Sequence, residues 1–213
     1  MWSFVPEFPV LVAFILASVV LGVTPGPDMT YFLSRTVAQS RGAGFAALGG
    51  ASVGLVVHSV LVAAGLSVLL AASSTAFTVL KIVGALYLAW LAIDAVRKGS
   101  SLSLERGGKA EPLRSIFLKG LAINLLNPKV IVFFVTFLPQ FVAANDPNAV
   151  GKLLFLGLIF TAVNIPVCGG IILAADRIAV LLKRSSAASR IVDWVFAGVL
   201  GAFALRLVFT QAK

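Results

Sequence analysis

Two charged residues in this chain follow prolines inside stretches that are otherwise apolar. Asp28 follows Thr24-Pro25-Gly26-Pro27, and Lys129 follows Asn127-Pro128. A carboxylate at such a position can hold a substrate ammonium or exchange a proton, and an ammonium can hold a carboxylate or pair with Asp28. Charged groups inside a bilayer cost about 2.5–3.5 kcal/mol each on insertion scales, so they mark functional sites unless they reach up to the membrane surface. The pair predicts a binding site for a small charged solute.

The composition indicates an integral membrane protein. Of 213 residues, 60% are hydrophobic and only 12% are charged, and the mean hydropathy is +1.05. Soluble domains average about half apolar and a quarter charged residues, so the surplus exceeds what a buried core needs. The net charge of +9 could suggest a nucleic-acid partner. Lys and Arg gather in the loops between apolar runs, however, which is the pattern that orients membrane proteins, so no nucleic-acid binding is expected.

The predicted fold is all-α, with six transmembrane helices in a single membrane domain over residues 1–213. A hydrocarbon core of about 30 Å needs about 20 apolar residues per helix. The runs that qualify are Phe8 to Val23, Ala43 to Leu70, Ala76 to Val96, Leu118 to Phe141, Leu153 to Ala175 and Val192 to Phe209. They divide into repeat one, about residues 8–98, a loop at about 97–119, and repeat two, about 118–210.

The prolines predict a broken helix in each repeat. Thr24-Pro25 and Asn127-Pro128 both have the form of a helix start, with a capping side chain followed by proline at the first helical position. A helix that stops and restarts at membrane depth exposes free N–H groups, which suit a carboxylate. Because two three-span units in succession face opposite ways, the pattern predicts the inverted repeats found in secondary transporters. An ordinary kink at each proline is the simpler alternative.

The distribution of basic residues predicts the orientation. The loops after spans one, three and five carry most of them, and the positive-inside rule therefore places these loops in the cytoplasm and both termini outside. The basic residues on that side are Arg35, Arg41, Arg97, Lys98, Arg106, Lys109, Arg114, Lys119, Arg177, Lys183, Arg184 and Arg190, against Lys152 and Lys213 on the other, with Lys81 and Arg206 near span ends.

Three further polar residues in apolar runs, His58, Asn124 and Asn164, are candidates for lining the pathway or for moving a coupling proton. The simpler reading of a lone histidine in an apolar helix is a hydrogen bond to a neighbouring helix. In the same run, Gly50 and Gly54 have the GxxxG spacing that lets another helix approach closely.

An enzyme is not predicted, although Gly50-Ala51-Ser52-Val53-Gly54 matches the GxSxG pattern of hydrolases. That motif needs a strand–turn–helix context, and this one lies in a helical run. Ser52 and His58 would also point about 240° apart around one helix. With one histidine and one cysteine, Cys168, the chain has no metal-ligand cluster and no intramolecular disulfide, and no metal or cofactor is expected.

Two motifs together resemble the signatures of the LysE/RhtB family of amino-acid exporters. Thr24 to Ser59 is similar to the first, which begins TPGPDMT, and Leu126 to Val142 to the second, which begins LNPK. The resemblance covers essentially the whole chain. It implies export of amino acids or related metabolites across the cytoplasmic membrane of a bacterium, driven by the proton gradient or by exchange. It assigns Pro25 to Asp28 to the first conserved block and Asn127 to Lys129 to the second.

The hypothesis that results is an alternating-access exporter of zwitterions of amino-acid size. The helix starts at Pro25 and Pro128, with Lys129, would receive the carboxylate of the cargo, and Asp28 its ammonium or a coupling proton. An uncoupled solute or ion channel is one alternative, and a membrane component whose prolines only shape packing is another. The cargo and a homo-oligomeric state are left open by the sequence.

Overall fold

The computed structural model describes residues 4–72, 110–143 and 146–175 continuously. It also describes scattered helical positions between 79 and 97 and between 177 and 205. Within these residues every regular element is helical: α1 (Phe8–Val23), α2 (Pro27–Ala38), α3 (Arg41–Ala72), α4 (Leu113–Leu125), α5 (Pro128–Val132) and α6 (Ala149–Leu173). The predicted spans from Ala76 to Val96 and from Val192 to Phe209 lie largely outside the described residues.

The first proline segment breaks the chain as predicted, but the restart was placed wrongly. Helix α1 has the predicted bounds, and α2 leaves it at an angle of 53°. The new helix begins at Pro27 with Gly26 as its N-cap, not at Pro25. Thr24 instead ends α1, and its hydroxyl donates to the Val20 carbonyl oxygen at 2.5 Å, so it is not available to cap α2. The second proline also disfavours helical backbone at Gly26, which delays the restart.

The second proline segment behaves as the sequence predicts. Asn127 is the N-cap of α5, its side-chain oxygen accepts from the Lys129 amide at 3.0 Å, and Pro128 stands at the first helical position. The helix continues through a π-helical turn, Phe133–Phe137, and a 3₁₀ turn, Leu138–Phe141. This second segment is bent by 48° relative to α4, which begins at Leu113, five residues before the predicted span.

The two remaining helices, α3 and α6, are the long ones. Each contains a stretch of 25 residues apolar enough to cross a membrane, and counting each bent pair as one span gives up to four spans in the described part of the chain. The observed bounds lie within four residues of the predicted ones at each end. Each bent pair packs on the long helix of the other half, α4 along α3 and α1 along α6.

Small residues let α3 and α4 approach until their backbones touch, as the GxxxG spacing predicts. A Cβ atom at Gly50 would overlap the carbonyl oxygen of Phe117, and one at Gly120 would overlap the carbonyl oxygen of Ala47. A Cβ at Gly54 would overlap the Asn124 side chain. Since the obstructing atoms at Gly50 and Gly120 are backbone, neither helix can move aside without separating along its length.

Substitution of Gly50 tests this contact. Gly50→Ala should lower the free energy of unfolding by about 1–3 kcal/mol, the usual cost of overpacking a close-packed interface. The measurement is thermal unfolding of the purified protein in detergent.

Gly65→Ala is the matched control on the same helix, because a Cβ there would meet no atom within 4 Å. Alanine is intrinsically better than glycine in a helix by about 0.5–1 kcal/mol, so this variant should unfold at the same or a higher temperature. Equal unfolding temperatures for the two variants would contradict the described contact.

Candidate functional site

Lys129 joins the two broken helices. Its Nζ donates to the carbonyl oxygen of Thr24 at 2.9 Å and lies 3.4 Å from that of Leu21, both at the end of α1. The residue is only 9% exposed, so the ammonium does not reach the membrane surface. The carbonyls at a helix C-terminus carry the negative end of its dipole, which suits a cation. Gly26 leaves room for this contact, since a Cβ there would lie 3.2 Å from Nζ.

Asp28 joins the same two halves from the other direction. It is the second residue of α2, and its Oδ2 accepts a hydrogen bond from Asn124 Nδ2 on α4 at 2.8 Å. In the described part of the chain the Lys129 ammonium therefore donates to backbone carbonyl oxygens, and the Asp28 carboxylate accepts from the side-chain amide of Asn124. The direct Asp28–Lys129 hydrogen bond that the sequence allows is not formed.

Three buried polar atoms around this contact have no hydrogen-bond partner among the described residues. They are Asp28 Oδ1, Asn124 Oδ1 and Asn127 Nδ2. Leaving a buried polar atom without a partner costs about 1–3 kcal/mol, and native proteins contain few of them. Of these residues Asp28 and Asn124 line a space beside the Lys129 ammonium that a polar molecule can fill, whereas Asn127 is not part of its lining.

A small cavity occupies that space. It offers about 30 Å³ to water-sized molecules, room for about two waters. An amino acid is larger, so this conformation must open to admit one. The lining residues are Leu21, Gly22, Asp28, Met29, Phe32, Leu48, Ala51, Ser52, Leu55, Asn124, Lys129, Val130, Phe160, Asn164 and Cys168.

The other sequence-predicted polar residues have different positions around the cavity. Asn164 lines it and donates to the Phe160 carbonyl oxygen of its own helix at 3.0 Å. His58 is buried behind the lining, with Nε2 at 3.4 Å from the Asn124 carbonyl oxygen and its ring stacked 5.5 Å from that of Phe134. His58 therefore supports Asn124 from a neighbouring helix, as the simpler reading of the sequence has it.

The apolar wall and two small polar residues on it could not be found from the sequence. Ser52 of α3 and Cys168 of α6 both line the cavity. The GxSxG pattern around Ser52 indicated only a hydrolase motif, which the helical context excludes. Phe32 and Phe160 carried no signal that separates them from other core residues. Among the described residues, no group of three His, Cys, Asp or Glu side chains is placed to hold a metal ion.

Comparison with known proteins gives a consistent result. The family described as "LysE type translocator" matches residues 19–211. The chain is 32% identical over 171 residues to a homoserine/homoserine lactone efflux protein of Salmonella typhimurium, which covers 80% of this chain and 82% of that protein. It is 27% identical over 214 residues to a leucine efflux protein of Klebsiella pneumoniae, with 97% and 99% covered. No solved structure matches the chain.

The matched residues contain both helix breaks, both buried charged residues and the whole cavity lining. A third relative, an uncharacterized membrane protein of Vibrio cholerae, is 35% identical over 159 residues, with 75% of this chain and 76% of that protein covered. With a family match over most of its length and relatives that are bacterial membrane and efflux proteins, this chain belongs to the LysE family of translocators.

Proposed function

We propose that this protein exports amino acids or related small zwitterions across the bacterial cytoplasmic membrane, as a proton-coupled carrier and not as an enzyme. The observation that carries the proposal is the pair of unpartnered oxygens of Asp28 and Asn124 at a cavity that the Lys129 side chain also lines. The relatives named for efflux of homoserine, its lactone and leucine support a cargo of this size.

The site can complement both charged ends of a zwitterion. The free oxygens of Asp28 and Asn124 accept hydrogen bonds, so they suit the cargo ammonium. The free Asn127 Nδ2 and the Lys129 ammonium donate, so they suit its carboxylate. Lys129 would exchange its bonds to the Thr24 and Leu21 carbonyls for the cargo oxygens as the cargo enters.

Asp28 also suits the role of the proton carrier. It is a carboxylate with one oxygen held by Asn124 and the other oxygen buried without a partner at the cavity. A proton on this oxygen and a cargo ammonium beside it would compete for the same negative charge. Binding of one then favours release of the other, which is the requirement for exchange of proton and cargo.

Two reciprocal contacts support an inverted-repeat carrier with alternating access. Two residues before the C-cap of α1, Gly22 faces Asn164 of α6, with a Cβ position 2.9 Å from Asn164 Oδ1. Two residues before the C-cap of α4, Asn124 faces Gly54 of α3. Each broken helix thus meets the long helix of the other half through a glycine–asparagine contact, with the two residue types exchanged. Rocking of one half on the other about the close α3–α4 contact would open the site alternately, with both termini outside.

Neutralisation of Asp28 tests the site. Asp28→Asn should lower the export rate of leucine or homoserine from loaded cells at least about tenfold, because a hydrogen bond to a charged group contributes about 1.5–3 kcal/mol. The measurement is efflux of radiolabelled leucine and homoserine, with the membrane content of each variant determined by immunoblot.

Asp146→Asn is the control, since Asp146 lies in the loop before α6, pairs with Lys152 of that helix and does not line the cavity. Asp28→Glu keeps the charge and should retain part of the export. Normal export by Asp28→Asn at normal membrane content would remove Asp28 from the mechanism.

Coupling distinguishes the carrier from an uncoupled channel. In proteoliposomes with an imposed pH gradient, the protein should move labelled leucine or homoserine against its concentration gradient, and collapse of the pH gradient should stop the accumulation. A channel would only equalise the concentrations, so flux without accumulation would overturn proton coupling while leaving transport itself in place.

A further inference from the structure

Polar residues on one face of α2 connect this helix to the start of the second half. Asp28, Tyr31, Arg35 and Gln39 follow one another at intervals of three, four and four residues, which places them on one side of a helix. Asp28 bonds to Asn124, and the Tyr31 hydroxyl lies 3.5 Å from the Ile116 carbonyl oxygen. Arg35 and Gln39 both bond to Glu111, just before α4. We call this row of contacts between α2 and α4 the polar seam.

Glu111 holds the outer end of the polar seam. Its carboxylate accepts from Arg35 at 3.0 Å, from Lys119 at 2.5 Å and from Ser115 at 3.3 Å. Its backbone N–H donates to Gln39 Oε1 and its carbonyl accepts from Gln39 Nε2, both at 2.9 Å. The hydrogen bond from Lys119 is the main cause that lowers the pKa of Glu111, so the carboxylate is charged at neutral pH.

The polar seam leads from solvent to the cavity. The Glu111 side chain is 28% exposed, whereas Asp28 at the other end lines the cavity. The eleven residue steps from Asp28 to Gln39, the C-cap of α2, extend about 16 Å at about 1.5 Å per residue. The seam is therefore a polar boundary between the two halves that reaches from one membrane face to the binding site.

Opening the polar seam should also cost less free energy than separating α4 from α3 on its other side. Its contacts are mainly side-chain hydrogen bonds, whose groups water can satisfy when the helices separate. At the α3–α4 interface, in contrast, the backbones touch at Gly50 and Gly120, so separation would expose closely packed surface along both helices. Of the two contacts that α4 makes with the first half, the one with α2 is thus the one that separates with the smaller loss of packed surface, while α2 stays packed on α3 at Thr36 and Gly44.

We propose that Glu111, with Arg35, Gln39 and Lys119, is a latch that holds the polar seam closed, and that its release opens the cavity towards the membrane face on which Glu111 lies. The basic loops predict that this face is cytoplasmic, so the latch would control entry of the cargo. That role in cargo entry rests on the proposed function, whereas the opening itself does not.

Cys168 reports on this opening without any substitution. It is the only cysteine of the chain, it is buried, and it lines the cavity with its Sγ 3.9 Å from the Gly22 carbonyl oxygen. A small, membrane-impermeant anionic methanethiosulfonate can modify it only when the cavity opens to the side on which the reagent is added.

The experiment compares the rate of Cys168 modification in inside-out and right-side-out membrane vesicles. Glu111→Gln and Gln39→Ala should each raise the rate from the Glu111 side about two- to fivefold, the population shift that loss of a partly exposed ion pair or hydrogen bond gives a two-state element. The rate from the opposite side should not rise. Asp146→Asn, which breaks an ion pair outside the seam, should leave both rates unchanged.

Unfolding would expose Cys168 to both sides, so a rise from both sides in the Glu111→Gln and Gln39→Ala vesicles would overturn the latch, as would unchanged rates in both variants. Because modification needs no cargo, this result is independent of the export assay. If the Cys168 modification rates do not change while export still depends on Asp28, the latch alone is refuted. If the rates rise as expected but export does not depend on Asp28, the proposed carrier site alone is refuted.

Discussion

A buried ammonium must have acceptors around it, and the way Lys129 meets this requirement determines much of the arrangement described here. Its acceptors are carbonyl oxygens that are available only because α1 ends at its C-cap Thr24, three residues before α2 begins at Pro27. The ammonium can reach them only because Gly26 has no side chain. Lys129 itself is aimed by a helix start that Asn127 caps. Each broken helix is therefore completed by the other, and neither break is an isolated kink.

The two faces of α4 make different kinds of contact: one is close-packed on α3, and the other is joined to α2 by hydrogen bonds that can open. Towards α3 the helix is nested on backbone at Gly50 and Gly120, and this contact sets the distance between the halves. Towards α2 it presents hydrogen-bonding groups from Glu111 to Asn124. Asp28 and Asn124, proposed to bind the solute, and Gln39 and Glu111, proposed to admit it, thus lie along the same α2–α4 boundary at different depths.

The sequence predicted features that depend on neighbouring residues and missed those that depend on distant ones. The bounds of α1, the Asn127 cap and the close approach at Gly50 follow from local chemistry, and all are confirmed. The predicted helix start at Pro25 was wrong, because Pro27 disfavours helical backbone at the residue before it, and the helix therefore begins at Pro27. Glu111 was not singled out, since its partner Gln39 lies 72 residues away and nothing local marks the pair. The cavity wall is likewise set by packing between helices, which one sequence does not encode visibly.

The Lys129 contact has a consequence for the order in which the chain is made. Its acceptor Thr24 precedes it by 105 residues, so α1 and its free carbonyls have left the ribosome long before the ammonium needs them. For Asp28 the order is reversed: its hydrogen-bond donor Asn124 is synthesised 96 residues later, so the carboxylate lacks this donor until the second half is made. The first half is thus a scaffold for insertion of the second, while the second completes the first. Separately synthesised halves would each enter the bilayer with a charge that only the other half can satisfy.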